Sequence, residues 1–262
     1  MTELLYYTDA YQHEFDATLA GVAADSSADT AFQITLDRTA FYPGGGGQPA
    51  DTGSLTIAGP TTEGLTLPVS KVKRAGADLV HTVTCAPDQV DAAARALQTG
   101  SAVHGALDWD RRYQIMRTHT AMHILCGVVW RDYGASVTGG NMDPGAGRMD
   151  FEFAALSREL IGEIEFKCNA EIAAARPVSS KILPRAEAFA IPDLIRTKIN
   201  LLPEGIREVR IVELAGLDLQ ADGGTHVHNT SEVGAMRIVD YKSKGAINKR
   251  VYIELGEVAT PD

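Results

Sequence analysis

His119 and His123 stand four residues apart in Met116-Arg-Thr-His-Thr-Ala-Met-His-Ile-Leu-Cys-Gly-Val-Val-Trp130, and His226 follows far downstream in Asp222-Gly-Gly-Thr-His-Val-His-Asn-Thr. An i, i+4 pair presents both imidazoles on one face of a helix. If all three histidines share one ion, the fold must carry a remote segment back to that helix, which makes a divided metal site with zinc as the expected ion. The competing reading is two satisfied core histidines, because such pairs arise often by chance on apolar helices. A zinc-protease helix would place Glu directly after the first His as general base, whereas here Thr120, Ala121 and Met122 intervene.

The rest of the chain divides by pattern. Up to about residue 107, short apolar runs alternate with turn signals. Strands are expected at 32–36, 54–57, 66–72 and 78–83, with a helical stretch at 88–98 between later elements, which together suggest a small β-barrel. From residue 108 the segments lengthen. A helix is expected over 109–133, closed by Gly134, and an amphipathic one over 157–175 with Leu160, Ile161, Ile164, Ile172 and Ala173 on its apolar side. Strands at 149–153, 209–214, 235–241 and 250–255 complete the second part. The expectation is therefore an α+β protein with a β-barrel domain at 1–107 and an α+β metal-binding domain at 108–262.

Two glycines precede Thr225 and His226 and let backbone pass close to a ligand or ion. Taken with Asn229-Thr-Ser-Glu-Val-Gly234, the two histidine motifs resemble the editing domain of alanyl-tRNA synthetase and its free-standing AlaX-type relatives, which hydrolyse tRNA carrying the wrong amino acid. Phe41-Tyr-Pro-Gly-Gly-Gly-Gly-Gln-Pro-Ala-Asp-Thr-Gly53 resembles the glycine motif of the larger AlaX proteins. Val137-Thr-Gly-Gly-Asn141, Arg148-Met-Asp-Phe151 and Lys244-Gly-Ala-Ile-Asn-Lys-Arg-Val-Tyr-Ile-Glu-Leu255 extend the likeness over nearly the whole chain. Several separated motifs in the right order are far more specific than any one alone.

One position departs from that pattern: the family has Cys four residues before the last His, and this chain has Asp222. A carboxylate also binds zinc and carries the same charge as a thiolate. It is a harder ligand, which favours weaker zinc retention. The expected ligand set is His119, His123 and His226, with Asp222 either as the fourth ligand or as an acceptor for water on the ion. Cys126 lies one helical turn past His123 but reads as core. His228 points away from His226 in an extended chain, and His13, His81 and His104 lack metal-like spacing.

Four successive glycines, Gly44 to Gly47, are not followed by Lys-Ser or Lys-Thr and match neither a P-loop nor a dinucleotide fingerprint, so no nucleotide cofactor is expected. The resemblance instead implies that Gly45, Gly46, Gly47 and Gln48 shape the space around an aminoacyl group, with Gly224 and Thr225 also facing substrate. A tight barrel turn is the alternative. The catalytic residues it implies are Thr120, Gln48 and Asp222, although a helical Thr120 could equally bond back to a carbonyl.

The reaction so implied is hydrolysis of the ester joining an amino acid to tRNA, with Ser-tRNA(Ala) as the favoured substrate and Gly-tRNA(Ala) second. Another β-hydroxy aminoacyl-tRNA, such as fluorothreonyl-tRNA, is an alternative. Two readings from other classes are a non-catalytic tRNA-binding module and a hydrolase of small amino-acid esters or amides. A net charge of −10 argues against broad nucleic-acid binding but leaves room for a local basic rim, for which Arg196, Lys198, Arg207, Arg210, Arg237, Lys242, Lys244, Lys249 and Arg250 are candidates. Three widely separated cysteines, Cys85, Cys126 and Cys168, argue against a disulfide framework. With neither a signal-peptide pattern nor a membrane-length apolar run, the expected location is the cytoplasm and no membrane partner is expected. The sequence leaves a homodimer open. No synthetase activation domain is visible, so action in trans is expected.

Overall fold

The computed structural model describes residues 1–25, 28–57, 64–196 and 205–261. The chain separates into two compact units, residues 1–45 with 49–113 and residues 46–48 with 114–262. The first is built on a closed antiparallel barrel. Its strands β1 (Glu14–Ala24), β2 (Ala31–Leu36), β3 (Gly53–Ile57), β4 (Leu65–Ala75), β5 (Asp78–Thr84) and β6 (Ala102–Leu107) pair in the order β1-β2-β5-β4-β3-β6, and β6 pairs back with β1. Closure leaves no unpaired edge among these strands. Alternation fills the interior, with Ile34 and Leu36 of β2, Leu55 and Ile57 of β3, Leu67 and Val69 of β4, and Leu79 and Val83 of β5 all buried.

Each of the four strands expected in this region lies in the barrel, while β1 and β6 had no clear sequence signal. Their inward residues include Ala17 and Gly105 among larger ones, and Ala and Gly have low strand preference. Pairing with neighbours, not local propensity, makes them strands. The expected helix at 88–98 is a 3-10 turn at Pro87–Gln89 followed by α1 (Val90–Ala96).

A buried ion pair anchors the same unit. Arg112 is fully buried at the start of α2 (Trp109–Tyr133), and its Nε donates to Asp51 Oδ1 and Oδ2 at 3.1 and 3.0 Å. Its Nη1 and Nη2 donate to the carbonyls of Ala10 and Ala40, so the guanidinium is spent on one carboxylate and two backbone acceptors. Asp51 Oδ2 also accepts from Tyr42 N at 2.7 Å. A buried charge is tolerated when its hydrogen-bonding capacity is met in this way.

In the second unit α2 is buried on nearly every side: apolar Ile115, Met116, Ala121, Ile124, Leu125, Val128 and Val129 are covered, and so are polar Arg117, Thr118, His119, Thr120 and His123. Helices of that kind sit between two layers. Met122 lies against Gly140 and Gly147 of β7 (Val137–Asp143) and β8 (Ala146–Glu152), and Gly127 lies against Leu217 and Asp218. The four-stranded antiparallel sheet runs β12-β13-β8-β7, with β12 at Met236–Ser243 and β13 at Asn248–Leu255. The three-stranded antiparallel sheet runs β9-β10-β11, with β9 at Val178–Pro184, β10 at Glu208–Leu214 and β11 at Asp218–Ala221.

The expected long helix matches α2, and Gly134 ends it with φ +63° while its N–H bonds to Trp130 O. The second expected helix is α3 (Arg158–Ala173), whose Ser157 cap accepts from Leu160 N. Strands β7, β9 and β11 were not anticipated: β7 contains Gly139 and Gly140, β9 contains Ser179 and Ser180 and ends on Pro184, and β11 is four residues long. Among the described residues no helix is long and apolar enough to cross a membrane.

The Arg112 clamp gives a direct test of the first unit. Asp51→Ala leaves a buried guanidinium uncompensated and should cost about 3–5 kcal/mol in chemical denaturation. A loss under about 1 kcal/mol would mean that the pair contributes little net stability.

Candidate metal centre

β11 and the loop after it bring the remote segment to α2. One ligand atom from each of His119, His123, Asp222 and His226 lies within 4.8 Å of all the others. The three histidines are 5–6% exposed, and their rings stack or meet edge-on, with centroids 4.2, 4.8 and 5.1 Å apart. Asp222 Oδ2 is 2.9 Å from His226 Nε2, and Oδ1 is 3.7 Å from His119 Nε2. Two donors around a tetrahedral zinc stand about 3.3 Å apart, so these side chains need only small movements to share one.

The opposite nitrogen of each ring is engaged. His119 Nδ1 is 2.9 Å from Gln48 Oε1, His123 Nδ1 is 2.9 Å from Asp218 Oδ2, and His226 Nδ1 is 3.2 Å from Thr120 Oγ1. Gln48 is oriented independently: Oε1 also accepts from Thr225 N at 3.1 Å and Nε2 donates to Thr225 Oγ1 at 2.9 Å. His119 Nδ1 must therefore be the donor. Asp218 as a carboxylate can only accept, so His123 Nδ1 is a donor too. Both rings then direct the Nε2 lone pair toward the cluster, the arrangement that a metal ligand requires.

Burial sets the protonation of the rings. It pushes His119 well below the ordinary histidine value and His226 down to about 4, with Asp222 opposing in both cases. Burial acts on His123 in the same direction, but the hydrogen bond and charge of Asp218 outweigh it and raise this ring. Asp222 is lowered despite its burial by the imidazoles at His119, His226 and His123. The consistent state is an ionised Asp222 facing neutral His119 and His226. Metal binding calls for the same state at these three residues and for a neutral His123, whose raised value an ion would have to overcome.

The loop carrying Asp222 is held from behind. Arg210 on β10 is buried, and its Nη1 donates to Asp222 O at 3.2 Å and Gly224 O at 2.9 Å, while Gly224 N donates to Asp222 Oδ2 at 2.8 Å. Only glycine fits at 224, because a Cβ there would fall 2.4 Å from His119 Cε1 and 2.5 Å from Gln48 Oε1. Thr225 is fully buried. Thr120, also fully buried, accepts from Val227 N at 3.3 Å and so ties α2 to the His226 segment, in place of the bond back along its own helix that the sequence allowed.

The glycine motif is divided by the structure. Gln48 lies against the cluster, and Gly47 O accepts from Met142 N at 3.1 Å. Gly45 is exposed, with its carbonyl taken by the Tyr42 hydroxyl, and a Cβ on Gly46 would meet open space. Cys126 is buried and its Sγ accepts from Gln220 Nε2 at 3.3 Å, while burial holds the thiol protonated. His228 is exposed. Sequence reasoning missed Asp218, Gln220 and the bracing role of Arg210. Positions 218, 220 and 222 alternate, so an extended chain puts all three polar side chains on one face, and that was the available signal.

The candidate basic rim shrinks in the same way. Arg210 and Lys249 are buried and donate to backbone carbonyls, Arg250 pairs with Asp150, and Lys242 pairs with Asp240. Arg196 lies over the Trp130 ring. Arg207, Arg237 and Lys244 are exposed, and Lys198 lies outside the described residues.

Comparison with known proteins defines the class first. The profile of the family described as "Threonyl and Alanyl tRNA synthetase second additional domain" matches residues 209–252, and that described as "tRNA synthetases class II (A)" matches residues 2–111. An alanyl-tRNA editing protein AlaX-M of Methanosarcina acetivorans is 38% identical over 256 residues, covering 97% of this chain and 99% of the relative. One from Saccharolobus solfataricus is 36% identical over 253 residues, covering 96% and 98%. An alanine–tRNA ligase of Thermococcus kodakarensis is 34% identical over 264 residues, and there the match spans 98% of this chain but 26% of the larger protein. The chain belongs to the AlaX-M family of alanyl-tRNA editing proteins.

Gly224→Ala should displace His119 or Gln48. After zinc loading and dialysis we expect this variant to retain much less metal than the parent protein, with its far-ultraviolet circular dichroism unchanged. Equal retention would show that the close approach at 224 does not matter to the site.

Proposed function

We propose that this chain is a trans-acting aminoacyl-tRNA deacylase that hydrolyses the ester of mischarged alanine tRNA, with Ser-tRNA(Ala) as the first substrate and Gly-tRNA(Ala) as the second. The observation that carries the reading is the buried convergence of His119, His123, Asp222 and His226, braced from outside, in a chain whose near-full-length relatives are alanyl-tRNA editing proteins. Residues 108–262 form the deacylase domain in this reading, and 1–107 the accompanying barrel domain.

His119, His123 and His226 through Nε2, with Asp222 through a carboxylate oxygen, would hold one zinc ion; the donor set of three imidazoles and one carboxylate suits it. When bound, that ion supplies Lewis acidity to an acyl carbonyl or a water, or anchors the substrate. The chain's own residues do the positioning. Gln48 keeps His119 in one tautomer and pins Thr225, and Thr120 holds His226. Gly224 and Thr225 pack closely against His119 and Gln48, and Gly45, Gly46 and Gly47 would meet the aminoacyl end in this reading. Asp222 can also accept a hydrogen bond from the substrate or from water.

Selection for serine follows from hydrogen bonding. A pocket that binds the serine hydroxyl leaves polar groups unpaired when alanine enters, whereas glycine differs only by a missing methyl and is harder to select. An aminoacyl ester is already activated, so modest catalysis suffices. The site needs no nucleotide cofactor.

The test is release of labelled amino acid from Ser-, Gly- and Ala-tRNA(Ala) and from threonyl- and fluorothreonyl-tRNA, with intact and chelator-treated protein. We expect chelator-sensitive release of serine with Ala-tRNA(Ala) spared. Preference for fluorothreonine would move the substrate while keeping the chemistry. Binding without release would leave a tRNA-binding module, and turnover of small esters without tRNA would leave a general hydrolase.

A further inference from the structure

We propose that Asp218 is the positioning residue that fixes His123 as an Nε2 metal ligand, and that Gln220 in turn fixes Asp218. The inference rests on the metal reading above and adds a residue that the ligand motif does not contain. Asp218 is at the start of β11 and its side chain is completely buried. Its Oδ2 takes two strong hydrogen bonds, from His123 Nδ1 at 2.9 Å and from Gln220 Nε2 at 2.7 Å. Gln220 Nε2 also reaches Cys126 Sγ at 3.3 Å, so a chain of contacts starts on α2 at Cys126, crosses to β11, and returns to α2 at His123. Arg196 Nε, 3.8 Å from Oδ1, adds a cation beyond hydrogen-bond distance.

The three imidazoles are not braced alike. His119 and His226 lean on neutral oxygens, of Gln48 and Thr120, whereas His123 leans on a carboxylate. A buried carboxylate carries a desolvation cost that a neutral acceptor would avoid, so packing alone does not account for it. A charged acceptor on Nδ1–H does two things that the neutral ones do less well: it locks the tautomer and makes Nε2 a more basic donor. It also brings a second negative charge close to a dication whose own ligand set has one, from Asp222. Asn is a poor replacement, because its amide NH2 would have to face either the Gln220 amide donor or the Arg196 guanidinium.

Zinc affinity of the full chain, measured by competition with a chromogenic chelator, tests the role. Losing such a partner typically lowers metal affinity about 10–100-fold, and we expect roughly tenfold for Asp218→Asn and up to about 100-fold for Asp218→Ala. The cobalt-substituted variants should show shifted visible d–d bands. An independent reading uses the zinc-loaded parent protein, so it does not depend on a variant folding: nitrogen-15 NMR of the histidines should show His123 protonated at Nδ1 and metal-shifted at Nε2. Parent affinity and an unchanged cobalt spectrum in Asp218→Ala, or metal on Nδ1 of His123, would overturn the inference while leaving the metal site standing. A parent protein that binds no zinc would overturn both.

Discussion

Everything in the second unit serves one meeting: an apolar helix carrying two imidazoles, and a Gly-Gly loop carrying a third imidazole and a carboxylate. Four ionisable groups packed this closely and this deeply are unfavourable unless each has a partner. The partners are specific. Gln48, Asp218 and Thr120 take the outer nitrogens, and Gly224 N–H and Arg210 secure the carboxylate and its loop. The apolar residues of α2 bury it between two sheets, and that layering places β11 beside His123.

Asp222 is the chemical peculiarity of the site. At the position where the resembled motif carries Cys, this chain has a carboxylate of the same charge as a thiolate, hydrogen-bonded by Gly224 N–H and adjacent to His226 Nε2. Cys126, the cysteine nearest His123 in sequence, does not compensate, because burial keeps it a protonated thiol and it is occupied with Gln220. The groups that could hold an ion here are therefore all nitrogen and oxygen. A harder set of this kind binds a soft ion less tightly and distinguishes less sharply among divalent metals.

The sequence was most legible where local pattern and tertiary demand agree. The i, i+4 spacing, Gly134 and the apolar run placed α2 to the residue, and the four aliphatic strands of the barrel stood out by alternation. β1, β6, β7, β9 and β11 were hidden because Ala, Gly, Ser and Asp carry little strand preference, and their pairing comes from neighbours distant in the chain. The motif residues could be named in advance, but their bracing could not. Gln48 read as part of a glycine turn and Arg210 as a candidate for a basic rim, whereas one bonds His119 and the other is spent on loop carbonyls. Gln48 reaches His119 from 71 positions away, and side-chain hydrogen bonds of that kind leave no local signature.

The most direct measurement of the central claim is the metal content of the purified full chain, with X-ray absorption at that metal's edge. We expect one zinc-class divalent ion per chain, surrounded by nitrogen and oxygen donors alone. Absence of stoichiometric metal, or a sulfur scatterer at about 2.3 Å, would contradict it.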